Sequence, residues 1–88
     1  MNQTNEKKQP AKKFRAGPIV ATIWENKTLK DGKELMYNTI SFERNYKDKN
    51  DQWQTTTALR TNDLPKAILV LSKAFEQLAL SENNQGEA

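Results

Sequence analysis

The chain has 88 residues, neither cysteine nor histidine, 35% hydrophobic residues and a formal net charge of +3. A chain of that length holds one small domain that buries about 60% of its unfolded surface. The missing residue types exclude disulfide staples, thiolate or imidazole metal sites and histidine acid–base chemistry.

The charge is unevenly spread. Residues 1–15 carry five cations against Glu6, residues 16–63 seven against seven, and residues 64–88 two against three. Residues 1–13 are polar and rich in Lys, Gln and Asn, so too little can be buried to offset ordering. They are expected to form a disordered basic arm, with a single domain over 14–80 and a second disordered tail, "SENNQGEA", over 81–88. No hydrophobic signal segment opens the chain, and the longest apolar run, "AILVL" (67–71), is far short of the roughly 20 residues of a membrane span. A cytoplasmic protein is the expectation.

"PIVATIWEN" (18–26) has the β-branched and aromatic content of a strand. Period two sends Ile19, Ala21 and Ile23 to one side and Val20, Thr22 and Trp24 to the other. Asp31-Gly32 signals a hairpin turn into a second strand over 35–47. Met36, Ile40, Phe42 and Tyr46 share its core-like face with Arg44, while Tyr37, Thr39, Ser41 and Glu43 take the other. Arg44 either snorkels past a sheet edge or marks a bulge that turns Arg44 and Tyr46 outward. A charged turn over 47–51 leads to a third strand, 52–61, with Trp53, Thr57 and Leu59 on one side and Thr56 and Arg60 on the other.

"NDLPKAILVLSKAFEQLALSE" (62–82) reads as a helix, with Asn62 or Asp63 supplying the capping oxygen and Pro65 in the first turn. Leu64, Ile68, Leu71, Phe75 and Leu78 make the stripe expected to cover the sheet. Leu69, Val70, Ala74 and Leu80 are then surplus and suggest a homodimer interface. The fold class is α+β: an antiparallel meander of three, possibly four, strands followed by one amphipathic helix on one face.

Chemistry has little to work with. The carboxylates sit beside lysines in turns, the three glycines are isolated, and no metal-ligand spacing occurs. The expectation is a non-enzyme with no cofactor, no metal and no small-molecule substrate. The informative object is the sheet face away from the helix, which displays Trp24, Tyr37 and Arg60 among hydroxyls. Rings there suit unpaired bases, and cations suit phosphates. The plainer reading is an ordinary wet face with cross-strand aromatic packing. Trp53 either caps the core edge or extends the stacking surface. Lys12, Lys13, Arg15, Lys47 and Lys49 either track a phosphate backbone or simply solubilise the arm and turns.

The motifs F-R-A-G, T-I-W-E-N, R-N-Y-K-D-K and N-D-L-P-K-A across residues 12–80 resemble a family of small uncharacterised prokaryotic proteins. That resemblance implies no activity. In topology alone, strands followed by an amphipathic helix are similar to the transcriptional-coactivator/Whirly class, which binds single-stranded DNA on curved sheets and dimerises through helices. The analogy implies a homodimeric binder of single-stranded nucleic acid, DNA ahead of RNA, with Trp24, Tyr37, Arg44 and Arg60 on the sheet. The alternative expectation is a protein-interaction module of the same fold.

Overall fold

The computed structural model describes residues 7–87, and the side chains of 8–80. Four strands, β1 (Lys7–Ala16), β2 (Ile19–Lys30), β3 (Lys33–Lys47) and β4 (Trp53–Thr56), form an antiparallel sheet in the order β1-β2-β3-β4. A 3₁₀ turn, Thr61–Asp63, leads into the helix α1, Leu64–Glu87. This is the α+β meander with one terminal helix.

The sheet begins earlier than composition suggested. Lys7–Ala16 is strand, not an arm without structure, because an edge strand needs only alternate residues inward. Phe14 lies opposite Ala21 and Ala16 opposite Ile19, so both pack on the core, while Arg15 between them and Lys12 and Lys13 before them stay exposed. The rest of the expected arm lies outside the described residues. At the other end α1 continues through residues 81–87, where a tail was expected. The final strand is shorter than anticipated and stops at Thr56.

The turns explain the meander. Gly17 has φ +60°, and a Cβ there would sit 3.1 Å from Lys66 Cε. Asp31 (φ 54°) and Gly32 (φ 76°) close the second hairpin with both central residues left-handed, the twist that suits antiparallel strands. Lys30 therefore pairs with Lys33, and the register runs unbroken to Ile19 opposite Arg44.

Directly opposed residues share a face. Ile19 and Ala21 of β2, with Phe14, Ala16 and Phe42 beside them, form the face under the helix. The helix presents Ala67 (4% exposed) and Val70 (2%) to this cluster, and Ala74 (1%) is also buried. Here the structure reverses the expected helix stripes. Leu64, Ile68, Leu71 and Phe75 face solvent, whereas Val70 and Ala74, anticipated as dimer contacts with Leu69 and Leu80, are core residues. Both stripes satisfy the 3.6 period. The one with small side chains lets the helix lie close on a sheet already filled by Ile19 and Phe14.

Arg44 is likewise on the helix side, opposite Thr56, and no bulge interrupts β3. Its Nε donates to Ala58 O and pairs with Asp63 Oδ2, both at 3.2 Å. Asp63 Oδ2 also accepts Arg60 N–H at 2.8 Å, so one carboxylate ties β3 to the helix entry. Tyr46 shares that side, with the Arg44 guanidinium 5.4 Å from its ring. The only register shift in the described strands lies in β1, between Pro10 and Lys12.

On the opposite face Asn26 is 2% exposed and donates Nδ2–H to Thr39 Oγ1 (3.1 Å) and Tyr37 O (3.3 Å). Asn26→Ala removes both bonds and should cost about 1–3 kcal/mol in a urea unfolding experiment.

Candidate nucleic-acid interface

The open face is assembled from three registers. Lys13 lies opposite Thr22 and Arg15 opposite Val20; Trp24 lies opposite Thr39 and Asn26 opposite Tyr37; Lys47 lies opposite Trp53. The helix packs on the other side, over β1 and β2. Lys13, Arg15, Trp24, Tyr37, Lys47 and Trp53 are thus brought onto one surface.

Other anticipated residues lie elsewhere. Lys12 is on the helix side, opposite Ile23, with Nζ 5.7 Å from the Phe14 ring. Arg44 and Tyr46 are on that side too, for the register reason given above. Lys49 is exposed in the β3–β4 turn, and Arg60 belongs to the segment before the 3₁₀ turn, not to a strand.

The two tryptophans differ in character. Trp24 is half-buried and donates its indole N–H to Ser41 Oγ at 2.9 Å, so its ring is fixed across β2 and β3. Trp53 is 69% exposed, with Lys47 Nζ 5.6 Å from its ring centroid. Trp53 therefore extends the open face; it does not cap the core. With Arg15 and Asn45 it lines a shallow cavity of about 290 Å³. An aromatic plane beside a guanidinium and an amide can take a base, a phosphate and a base edge together.

The β3–β4 turn places Trp53. The Asp48 carboxylate accepts hydrogen bonds from Asn50 N (2.8 Å), Gln52 N (3.0 Å) and Gln54 Nε2 (3.1 Å). The Gln52 bond leads in holding its pKa below the ordinary carboxylate value; desolvation opposes the shift, and the Asn50 and Gln54 bonds add to it. With the folded pKa depressed, the turn's contribution is complete above the ordinary carboxylate pKa and fades as pH falls through the lower folded value. Asp48→Ala should accelerate amide exchange at Gln52 at neutral pH and abolish the acid-side change there.

Charge sidedness is what the sequence concealed. By register, the open face carries Lys8, Lys13, Arg15, Lys30, Lys33 and Lys47 against Glu43 alone. Glu25 and Glu34 fall on the helix side, Asp31, Asp48 and Asp51 in turns, and Asp63 on Arg44. A body with balanced charge overall is thus basic on one face. Lys8 and Asn45 were not anticipated; both follow from strand parity once β1 and the β3–β4 register are known. A larger groove of about 520 Å³, lined by Lys8, Gln9, Glu25, Lys27 and Met36, mixes charges of both signs.

Compared with protein-family models, curated proteins and solved structures, the chain matches none. Among the described residues no helix is long and apolar enough to cross a membrane, and no cluster of three or more carboxylates could hold a metal.

Proposed function

We propose that this protein binds single-stranded nucleic acid on the open sheet face, without catalysis and without strong sequence preference, as a homodimer. The observation that carries the reading is the sidedness: six cations against one carboxylate on the face that also holds Trp24, Tyr37 and Trp53. Bases stack on Trp53, contributing about 1–3 kcal/mol per ring, and Lys13, Arg15 and Lys47 meet the phosphates. Such a surface favours unpaired strands, since a duplex hides the base planes. By the topological analogy to the transcriptional-coactivator/Whirly class, DNA is the first ligand to test.

The exposed helix strip of Ile68 (66%) and Phe75 (72%) favours a second reading, a protein-interaction module. Anisotropy titration of short single-stranded and duplex oligonucleotides at two salt concentrations separates them. The nucleic-acid reading expects single strands to bind more tightly than duplex, with affinity falling as salt rises. In the Lys13→Ala/Arg15→Ala variant that slope should drop by about two phosphate contacts while the melting temperature holds. Wild-type protein indifferent to every oligonucleotide at low salt leaves the protein-interaction reading.

A further inference from the structure

The two edges of the sheet are treated differently. The β1 edge is blunted by Pro10, by the register shift beside it and by lysines, the usual protections against pairing with another chain. The β3 edge has neither proline nor register shift, and its charges stand only at the ends of the open stretch, at Lys33, Glu34 and Glu43. β4 pairs only with Arg44–Lys47, and no other described strand lies beside the preceding stretch from Lys33 to Glu43.

Backbone direction along this stretch follows from one bond. Asn45 N–H donates inward to Pro18 O at 2.8 Å. Alternation then turns the N–H and C=O groups of Glu34, Met36, Asn38, Ile40 and Phe42 outward. Between those groups stand exposed apolar side chains, including Met36 (56%) and Ile40 (40%).

We propose that this edge is the dimerisation surface: β3 pairs antiparallel with β3 of a second copy, about a two-fold axis at Asn38. The proposal rests on the homodimer part of the functional reading and not on nucleic acid. The open stretch is self-complementary in this register, whose axis falls at its midpoint. Lys33 then opposes Glu43 of the other copy, Met36 opposes Ile40, and Asn38 meets itself. Shifting the axis to Thr39 sets Leu35 against Glu43 and drives Glu34 onto Arg44, whose outer edge β4 already occupies. The two-fold also preserves sheet faces, so both helices lie on one side and both basic faces join on the other. Each copy's Met36 and Ile40 become covered by the partner's.

Sedimentation and a crosslink test it on the full chain. Wild type should be a dimer at micromolar concentration. Asn38→Lys sets two ammonium groups opposite each other and should give a monomer that stays folded with its helical content intact, melting somewhat lower because the partner and the Asn38 Nδ2–H bond to Trp24 O (3.2 Å) are both lost. Lys33→Glu and Glu43→Lys should each weaken the dimer roughly tenfold, since symmetry doubles every change, and the double reversal should restore it. Asn38→Cys, in a chain with no other cysteine, should crosslink on mild oxidation, and Ser72→Cys on the helix should not. A wild-type monomer overturns the proposal. So does a dimer that survives Asn38→Lys but is lost in Phe75→Glu, which would place the contact on the helix. Oligonucleotide titration of Asn38→Lys alone reads the binding proposal separately, because that change is on the helix side of the sheet and leaves the open-face residues Trp53, Lys13 and Arg15 in place.

Discussion

Val70→Glu should leave the chain largely unfolded at room temperature, whereas Phe75→Glu should melt like wild type. Val70 is 2% exposed within the cluster of Ile19, Ala21 and Ala67, and no described cation is part of that cluster. Burying an unpaired carboxylate there costs more than about 4 kcal/mol. That is most of the stability of a small domain, whose total lies in the range of about 5–15 kcal/mol. Phe75, five residues along the same helix, is 72% exposed and should change stability by no more than about 0.5 kcal/mol. Circular dichroism melts at low concentration decide the matter. Equal melts, or the reverse order, would mean that the helix lies on its other stripe.

Trp53→Ala should weaken single-strand binding by about 1–3 kcal/mol, a factor of roughly 5 to 150, with almost no loss of stability. The ring is 69% exposed, with the Lys47 ammonium 5.6 Å from its centroid, so truncation removes a stacking plane and little packing. Trp24→Ala should behave differently. Its half-buried ring and the bond to Ser41 link β2 to β3, so both stability and affinity should fall. Competition binding and urea unfolding on the two variants separate the roles. If Trp53→Ala binds as wild type does, the open face is not a stacking surface.

The contrast between the tryptophans shows where the sequence was legible. Strand parity placed Trp24 opposite Ile23, and Tyr37 opposite Met36, across the sheet; the register agrees. The Asp31-Gly32 turn and the terminal helix were equally plain, because turn chemistry and a long apolar period are local signals. Trp53 stayed ambiguous because it stands at the start of its strand, beside Asn50-Asp51, where alternation has no preceding apolar residue to fix the face; the strand proved to be only Trp53–Thr56. Arg44 looked misplaced among apolar neighbours until Asp63, 19 positions away in the chain, was seen to meet it. No local pattern carries that pairing. The helix stripes were reversed for a related reason: Ala67, Val70 and Ala74 have the same period as Ile68, Leu71 and Phe75, and side-chain size against a particular sheet made the choice. The charge sidedness needed β1, whose cations read as a tail in composition and become one edge of a surface, with Lys13 and Arg15 in register with Thr22 and Val20.

The most direct measurement uses the two indole N–H signals of a ¹⁵N-labelled sample titrated with a short single-stranded oligonucleotide at low salt. If the open face takes single strands, both indole signals, Trp24 and Trp53, shift with the amides of Lys13, Arg15 and Lys47, while the helix amides Ala67 and Val70 stay in place. Indole signals that hold still at saturating oligonucleotide, or shifts confined to the helix strip around Ile68 and Phe75, would contradict that reading.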